Sequence, residues 1–213
     1  GEYKKGLIDL IIALAGSFTY VNFNGSTIRI PFTELSVTLP RWLYILLGVV
    51  LIWTAINVTN CSDGVDGLSG TLSMITIGSF CLLCLDVSPD FSFLCGIMIA
   101  VILAYQWFNA SPSILMMGDA GSRAMGLFIA FAAMKSGNPL LYIPLALVTI
   151  LDGGLGLLKI SLKRFLKISI LKNTRTPLHD HARKNKGWSD PQTVYRFAII
   201  QTALCFVTLA LSL

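Results

Sequence analysis

The chain has 213 residues, of which 54% are hydrophobic and 13% charged, with a formal net charge of +5 and a mean hydropathy of +0.73. Soluble chains carry roughly 25% charged residues, so this composition excludes a water-soluble domain, a disordered tail, a secreted disulfide scaffold and a nucleic-acid binder. It predicts an all-α polytopic membrane protein, one integral membrane domain over residues 1–213 in contact with the lipid bilayer, whose positive balance reflects Lys and Arg on the cytoplasmic side.

In chain order, apolar runs at about 7–22, 42–58, 68–85, 93–109, 122–135, 139–158 and 193–213 predict about seven transmembrane helices, because crossing about 30 Å of hydrocarbon takes about 20 apolar residues. The run at 122–135 is short and needs tilt or shielding by its neighbours. Between the first two, FNGSTIRIPFTELSVTLP alternates apolar and polar residues around Pro31, which predicts a short extracytoplasmic β-hairpin. Cys81 and Cys84 share a C-x-x-C spacing inside an apolar run with no second ligand pair, so they read as core packing rather than a metal or redox site.

Charge orients the bundle. Nine of the sixteen Lys and Arg residues fall between Lys159 and Lys186, which places that loop in the cytoplasm. Alternation then puts the loops at 110–121 and 59–67 on the same side, together with Lys4 and Lys5, and the hairpin on the other.

The three loops on that side hold the unusual residues. The first, NVTNCSDGVDGLSG, repeats Asn57, Asn60, Asp63 and Asp66 at intervals of three, so a continuing helix would align them on one face. A capped, solvated turn is the alternative. The second, WFNASPSILMMGDAGSRAMG, sets Asp119 among glycines at the start of a helix. That arrangement could place a carboxylate and free N–H groups around a metal-bound phosphate. Magnesium suits it best, since it takes oxygen ligands and commonly binds one or two carboxylates plus substrate phosphates. Alternatively, Asp119 is an N-cap and Gly121 a packing glycine.

The third loop, TPLHDHARKNKGWSDP, holds both histidines of the chain, His179 and His181, followed by Arg183, Lys184 and Lys186. These groups are donors suited to a diphosphate. Orientation by positive charge and contact with anionic headgroups are the alternative. Two histidines at i and i+2 lack the third ligand that zinc would need. Together the loops predict phosphoryl chemistry between a nucleotide-type donor and a lipid acceptor, which depends mainly on positioning and charge neutralisation.

NCSDGVDGL, WFNASP followed by MGDAGS, and PLHDH followed by KGW, in this order, resemble the phospho-N-acetylmuramoyl-pentapeptide transferase family within the polyprenyl-phosphate N-acetylhexosamine-1-phosphate transferase superfamily. The likeness runs from about Lys4 to the end. It implies transfer of phospho-MurNAc-pentapeptide from UDP-MurNAc-pentapeptide to undecaprenyl phosphate, giving lipid I and UMP in peptidoglycan synthesis, with Mg2+ required. The implied place is the bacterial cytoplasmic (inner) membrane, with the active site facing the cytoplasm and a homodimer possible.

By the same likeness Asp119 is the metal ligand, and Asp66, Asp119, His179 and His181 are catalytic. Asn57, Asn60, Asp63, Asp66, Asn109, Met116, His179, Asp180 and His181 bind substrate. Two positions depart from the family pattern: Asp180 stands where a middle histidine is usual, and Met116 where Phe is common three residues before the metal aspartate. The family's N-terminal helices and its adjacent Asp-Asp pair are absent, so the chain is expected to be the C-terminal part of a larger transferase that needs its N-terminal part. The rival readings are a sister UDP-GlcNAc transferase, a transporter or channel fragment built on acids such as Asp9 and Asp152, and a non-catalytic membrane scaffold.

Overall fold

A computed structural model describes residues 2–212. Its elements are α1 (Glu2–Asn24), β1 (Thr27–Arg29), β2 (Ser36–Thr38), α2 (Arg41–Cys61), α3 (Leu68–Cys84), α4 (Pro89–Asn109) and α5 (Gly118–Lys135). A broken helical stretch over Pro139–Leu166 follows, then a short helix and a long one. Four helices, α1, α2, α4 and the last, are long and apolar enough to cross a membrane, or five with the bent pair Pro139–Leu145 and Leu147–Leu166 counted as one span.

All seven apolar runs are helical, yet the expected seven spans reduce to these four or five by length and composition. Two helices fall short for physical reasons. Helix α3 has 17 residues, ten of them buried, so its neighbours rather than lipid surround it. Helix α5 carries Asp119, Arg123 and Lys135 within its 18 residues. The remaining long helices show lipid-facing rows of large apolar side chains, such as Leu7, Ile11 and Phe18 on α1 and Phe93, Ile97 and Val101 on α4.

Helix α2 is the axis of the bundle and packs against both α1 and α5. Close approach to α5 depends on Gly126, where a Cβ would sit 2.4 Å from the Ala55 carbonyl oxygen. Small residues let membrane helices approach in this way, and Ala130 and Ala133, on the same face of α5 as Gly126, are fully buried.

The β-hairpin forms as expected, with Thr27 opposite Thr38 and Arg29 opposite Ser36. It docks at one end of the bundle, where the Arg29 N–H donates to the Gly137 carbonyl at 2.8 Å. Nearby, the Tyr20 hydroxyl donates to the Met134 carbonyl at 2.6 Å. The chain therefore turns back at that end, and the three polar loops lie at the other.

The bend of 71° at Ala146 lies two residues after Pro144, which has no N–H to give a helix and disrupts it, and it frees backbone groups inside the bundle. Exposed loose ends of that kind cost several kcal/mol in hydrocarbon, by about the amount an unsatisfied group costs, and are tolerated only where protein satisfies them. Gln201, fully buried on the last helix, supplies the partners. Its side-chain oxygen accepts from the Val148 N–H at 3.0 Å, and its amide donates to the Leu145 carbonyl. Thr76 of α3 donates to the same carbonyl at 3.0 Å. Cys81 and Cys84 belong to the core region, and all five cysteines are free, in line with the packing reading.

Candidate active site

Beyond the broken stretch, which comprises a 3-10 turn, α6 (Tyr142–Leu145), α7 (Leu147–Thr149), a π-helical turn (Ile150–Gly154) and α8 (Leu155–Ser161), the histidine segment folds as α9 (Leu178–Lys186) before α10 (Asp190–Ser212). It is thus a helix where the sequence suggested a loop.

The first polar loop also departs from expectation. Helix α2 ends at Cys61, so Asn57 and Asn60 lie on the helix whereas Asp63 and Asp66 lie beyond it, and the four do not share a helical face. Gly67 makes the turn into α3 with φ of +82°, a left-handed conformation that L side chains rarely adopt. Two side chains from the end of α4 hold the turn. Asn109 accepts from the Gly67 N–H at 2.8 Å, and Gln106 donates to the Gly67 carbonyl at 2.9 Å.

The second loop is tied to the first. Asn109, buried at 6% exposure, also donates to the Ser113 hydroxyl and to the Leu115 carbonyl at 2.8 Å. The Ser113 N–H donates to Asp66 at 3.1 Å. Asn109 and Asp66 therefore clasp the two loops together, and the amide of Asn109 is fully used in doing so.

Asp119 sits in the first turn of α5 with a half-exposed side chain. It pairs with the Lys5 ammonium of α1 and accepts from Asn60 at 3.4 Å. These two partners hold its carboxyl below the usual range, so it is ionised at neutral pH. Asn60 donates more closely to Ser122, at 2.9 Å. Arg123 fixes the orientation of that amide by donating to its oxygen at 3.3 Å. Arg123 is itself paired with Asp9, whose side chain is only 5% exposed.

The third loop reaches the same end. His179, 3% exposed, stacks its ring edge over Gly64: a Cβ there would sit 2.4 Å from Nε2. Asp63 lies between the two groups electrostatically. Burial lifts its carboxyl above the ordinary range, the Asp119 carboxylate pushes the same way and His179 opposes. Asn60 at the end of α2, Asp63 just beyond it, Asp119 at the start of α5 and His179 at the start of α9 thus form one cluster.

The other candidates stand around it. Asn57 donates to the Trp53 carbonyl of its own helix at 2.9 Å. Met116 is 83% exposed. Asp180 pairs with Lys184 at 3.0 Å, and His181 accepts from the Arg175 N–H at 3.4 Å. Arg183 forks onto Asp190 at the start of α10, while Lys184 and Lys186 are both exposed.

Sequence reasoning missed Lys5 and the Asp9–Arg123 pair as parts of the site. The signal was present: a carboxylate and a guanidinium in two apolar helices each need a partner. The two intramembrane acids a transporter would use are both paired, Asp9 with Arg123 and Asp152 with His179. A cavity of about 490 Å³ lined by Ile28, Tyr44, Met134 and other apolar groups lies at the hairpin end, away from this chemistry.

Among the described residues no three His, Cys, Asp or Glu side chains form a complete metal cage. The donor set instead fits a hard cation that needs only one or two carboxylates and completes its shell with water and phosphate oxygen. Asp119 already takes a cationic partner, the Lys5 ammonium.

Fold and site together define a multi-pass helical membrane protein with an acid, amide and imidazole cluster at one end of the bundle. The family model for glycosyl transferase family 4 matches residues 1–137, and the chain belongs to that family. It is 39% identical over 231 residues to a protein of Treponema pallidum named phospho-N-acetylmuramoyl-pentapeptide-transferase, covering 96% of this chain and 62% of that protein. Proteins of the same name from Clostridium acetobutylicum (29% identical; 96% of this chain, 64% of that one) and Dictyoglomus turgidum (32%; 75% and 51%) are also similar. The chain spans about three-fifths of the length of the first curated relatives it matches.

Proposed function

We propose that this chain is the larger, C-terminal part of a transferase that moves phospho-MurNAc-pentapeptide from UDP-MurNAc-pentapeptide to undecaprenyl phosphate, forming lipid I and UMP for peptidoglycan synthesis. The observation that carries this reading is the convergence of three chain segments: Asn60, Asp63 and Asp119 meet His179 at one end of an apolar bundle. The 39% identity to a transferase of that name supports it. In the proposed topology all seven apolar runs cross a bacterial cytoplasmic membrane. The basic segment and the cluster face the cytoplasm, where a soluble nucleotide donor arrives, and the N-terminal part of the same enzyme completes the site.

In the reaction an oxygen of the lipid phosphate attacks the sugar-linked phosphorus of the donor, a new P–O bond forms, and the bond to UMP breaks. Three negative groups must meet, so charge neutralisation and alignment dominate the barrier. Magnesium held by Asp119, with Asp63 beside it, would supply that neutralisation. Asn60, fixed by Arg123 and Ser122, presents an oriented amide beside the metal carboxylate. His179 and His181 can donate an N–H to phosphate oxygen from a protonated ring, and Lys186 adds positive charge at the mouth. Asp66 and Asn109 keep the first two loops in register, and exposed Met116 offers a soft surface for the donor's base.

The site is tested against general electrostatics by comparing His181→Ala with Lys172→Ala in the full-length protein. Loss of the histidine is expected to reduce kcat/KM for the donor roughly 100-fold, within the range for a single positioned polar group. Loss of Lys172, exposed in the same basic segment, is expected to change it less than about 3-fold, as a screened surface charge should. Equal losses in the two variants contradict a specific histidine site.

A further inference from the structure

Asp152 has no place in the chemistry described so far, yet among the described residues it is the most deeply buried charged one, at 0% exposure. It lies in the π-helical turn Ile150–Gly154, inside a stretch where a free carboxylate would be strongly disfavoured. Both of its oxygens are spent on one residue. One accepts from the His179 backbone N–H at 2.7 Å, and the other faces His179 Nδ1 at 2.8 Å. The backbone bond sets where α9 begins, and the ring bond sets how the imidazole is turned.

We infer that Asp152 is a positioning residue for the transfer reaction: it holds His179 in the Nδ1–H form, so that Nε2 is the nitrogen presented at Gly64 beside Asp63. A carboxylate can only accept, so the nitrogen facing it carries the proton. The opposite nitrogen is then directed by the same contact, as an outer carboxylate commonly directs a working imidazole. Gly64 leaves room for this, since a Cβ there would meet Nε2 at 2.4 Å and the neighbouring Cε1 at 2.9 Å. The π-helical turn brings Asp152 under the ring, and Gly153 lets that turn press on α2, where a Cβ would sit 2.3 Å from the Val58 carbonyl oxygen. Positioned in this way, the neutral ring offers Nε2 as an acceptor for an N–H or O–H of the donor, and the same atom donates to a phosphate oxygen once it has taken up a proton.

This inference rests on the transferase reading, and its test separates the two. The ring nitrogens of His179 are followed by 15N NMR in the full-length protein in detergent, assigned by difference against His179→Gln, at a pH where the imidazole is neutral. The wild-type protein is expected to show Nδ1–H and bare Nε2, although free imidazole side chains favour the opposite form. Nε2–H in the wild type overturns the inference whatever the Asp152 variant does.

Asp152→Asn keeps the size and one acceptor for the backbone N–H, but turns an NH2 towards Nδ1. The proton is therefore expected to move to Nε2, and kcat/KM to fall roughly 10- to 100-fold, the range for outer partners of a working imidazole. A purely structural Asp152 would lower stability without moving the tautomer. If the tautomer switches and transfer is unchanged, Asp152 has no positioning role. If the wild-type protein shows Nδ1–H but transfers nothing, the transferase reading fails and takes the catalytic role of the dyad with it.

Discussion

Asp119→Asn in the full-length protein is expected to reduce magnesium-dependent transfer by roughly 10³-fold, the scale of losing one fixed electrostatic partner of a transition state, while the melting temperature in detergent stays unchanged. The substitution preserves shape and removes the charge that the metal requires. Its structural cost is small because the Asp119 side chain is 53% exposed and its Lys5 partner 49% exposed, and exposed pairs contribute little to stability. The amide can still receive the Asn60 hydrogen bond through its oxygen. UMP release at saturating donor, read beside thermal melting, checks both halves. Unchanged release removes Asp119 from the metal role, and a collapse in melting temperature would assign it to folding instead.

Asp9→Ala is expected to have the largest effect on stability. It strips the carboxylate from Arg123, whose side chain is only 19% exposed, and an unpaired buried charge costs about 3 kcal/mol. Transfer is also expected to fall, because Arg123 orients the Asn60 oxygen. The informative comparison is the double variant Asp9→Ala with Arg123→Met. Replacing a buried ion pair by apolar groups of similar volume is often neutral, so melting temperature should recover. Activity should not, because Asn60 then lacks the donor that fixes its amide. A double variant no more stable than Asp9→Ala alone would show that the pair is not the source of the cost.

The parts of the fold legible in the sequence were those governed by local patterning. Seven apolar runs became seven helical stretches, and the alternation around Pro31 became the paired strands Thr27–Arg29 and Ser36–Thr38. The break at Ala146 had a signal in Pro144 within the 139–158 run, since an internal proline kinks or ends a helix, but the group that satisfies the broken ends was not legible. That group, Gln201, is 53 positions from the Val148 N–H it accepts from. Helix α9 was missed because LHDHARKNK has almost no apolar stripe; it is anchored from outside by Asp152 and by the Arg183–Asp190 contact.

In the site, residue type showed that acids, amides and imidazoles gather at one end, but not how labour divides among them. Asn60 and Asn109 look alike in the sequence. The structure turns the first towards Asp119 and buries the second as a clasp between Gly67 and Leu115. Spacing by threes suggested a single helical face for Asn57, Asn60, Asp63 and Asp66, and the end of α2 at Cys61 divides them.

The most direct measurement is magnesium-dependent release of UMP by the full-length protein in detergent with undecaprenyl phosphate, comparing UDP-MurNAc-pentapeptide with UDP-GlcNAc. The account predicts release with the muramyl donor alone, abolished by chelation and restored by added Mg2+. Release with UDP-GlcNAc would assign the site to a sister transferase, and no release with either donor from folded protein would contradict the account.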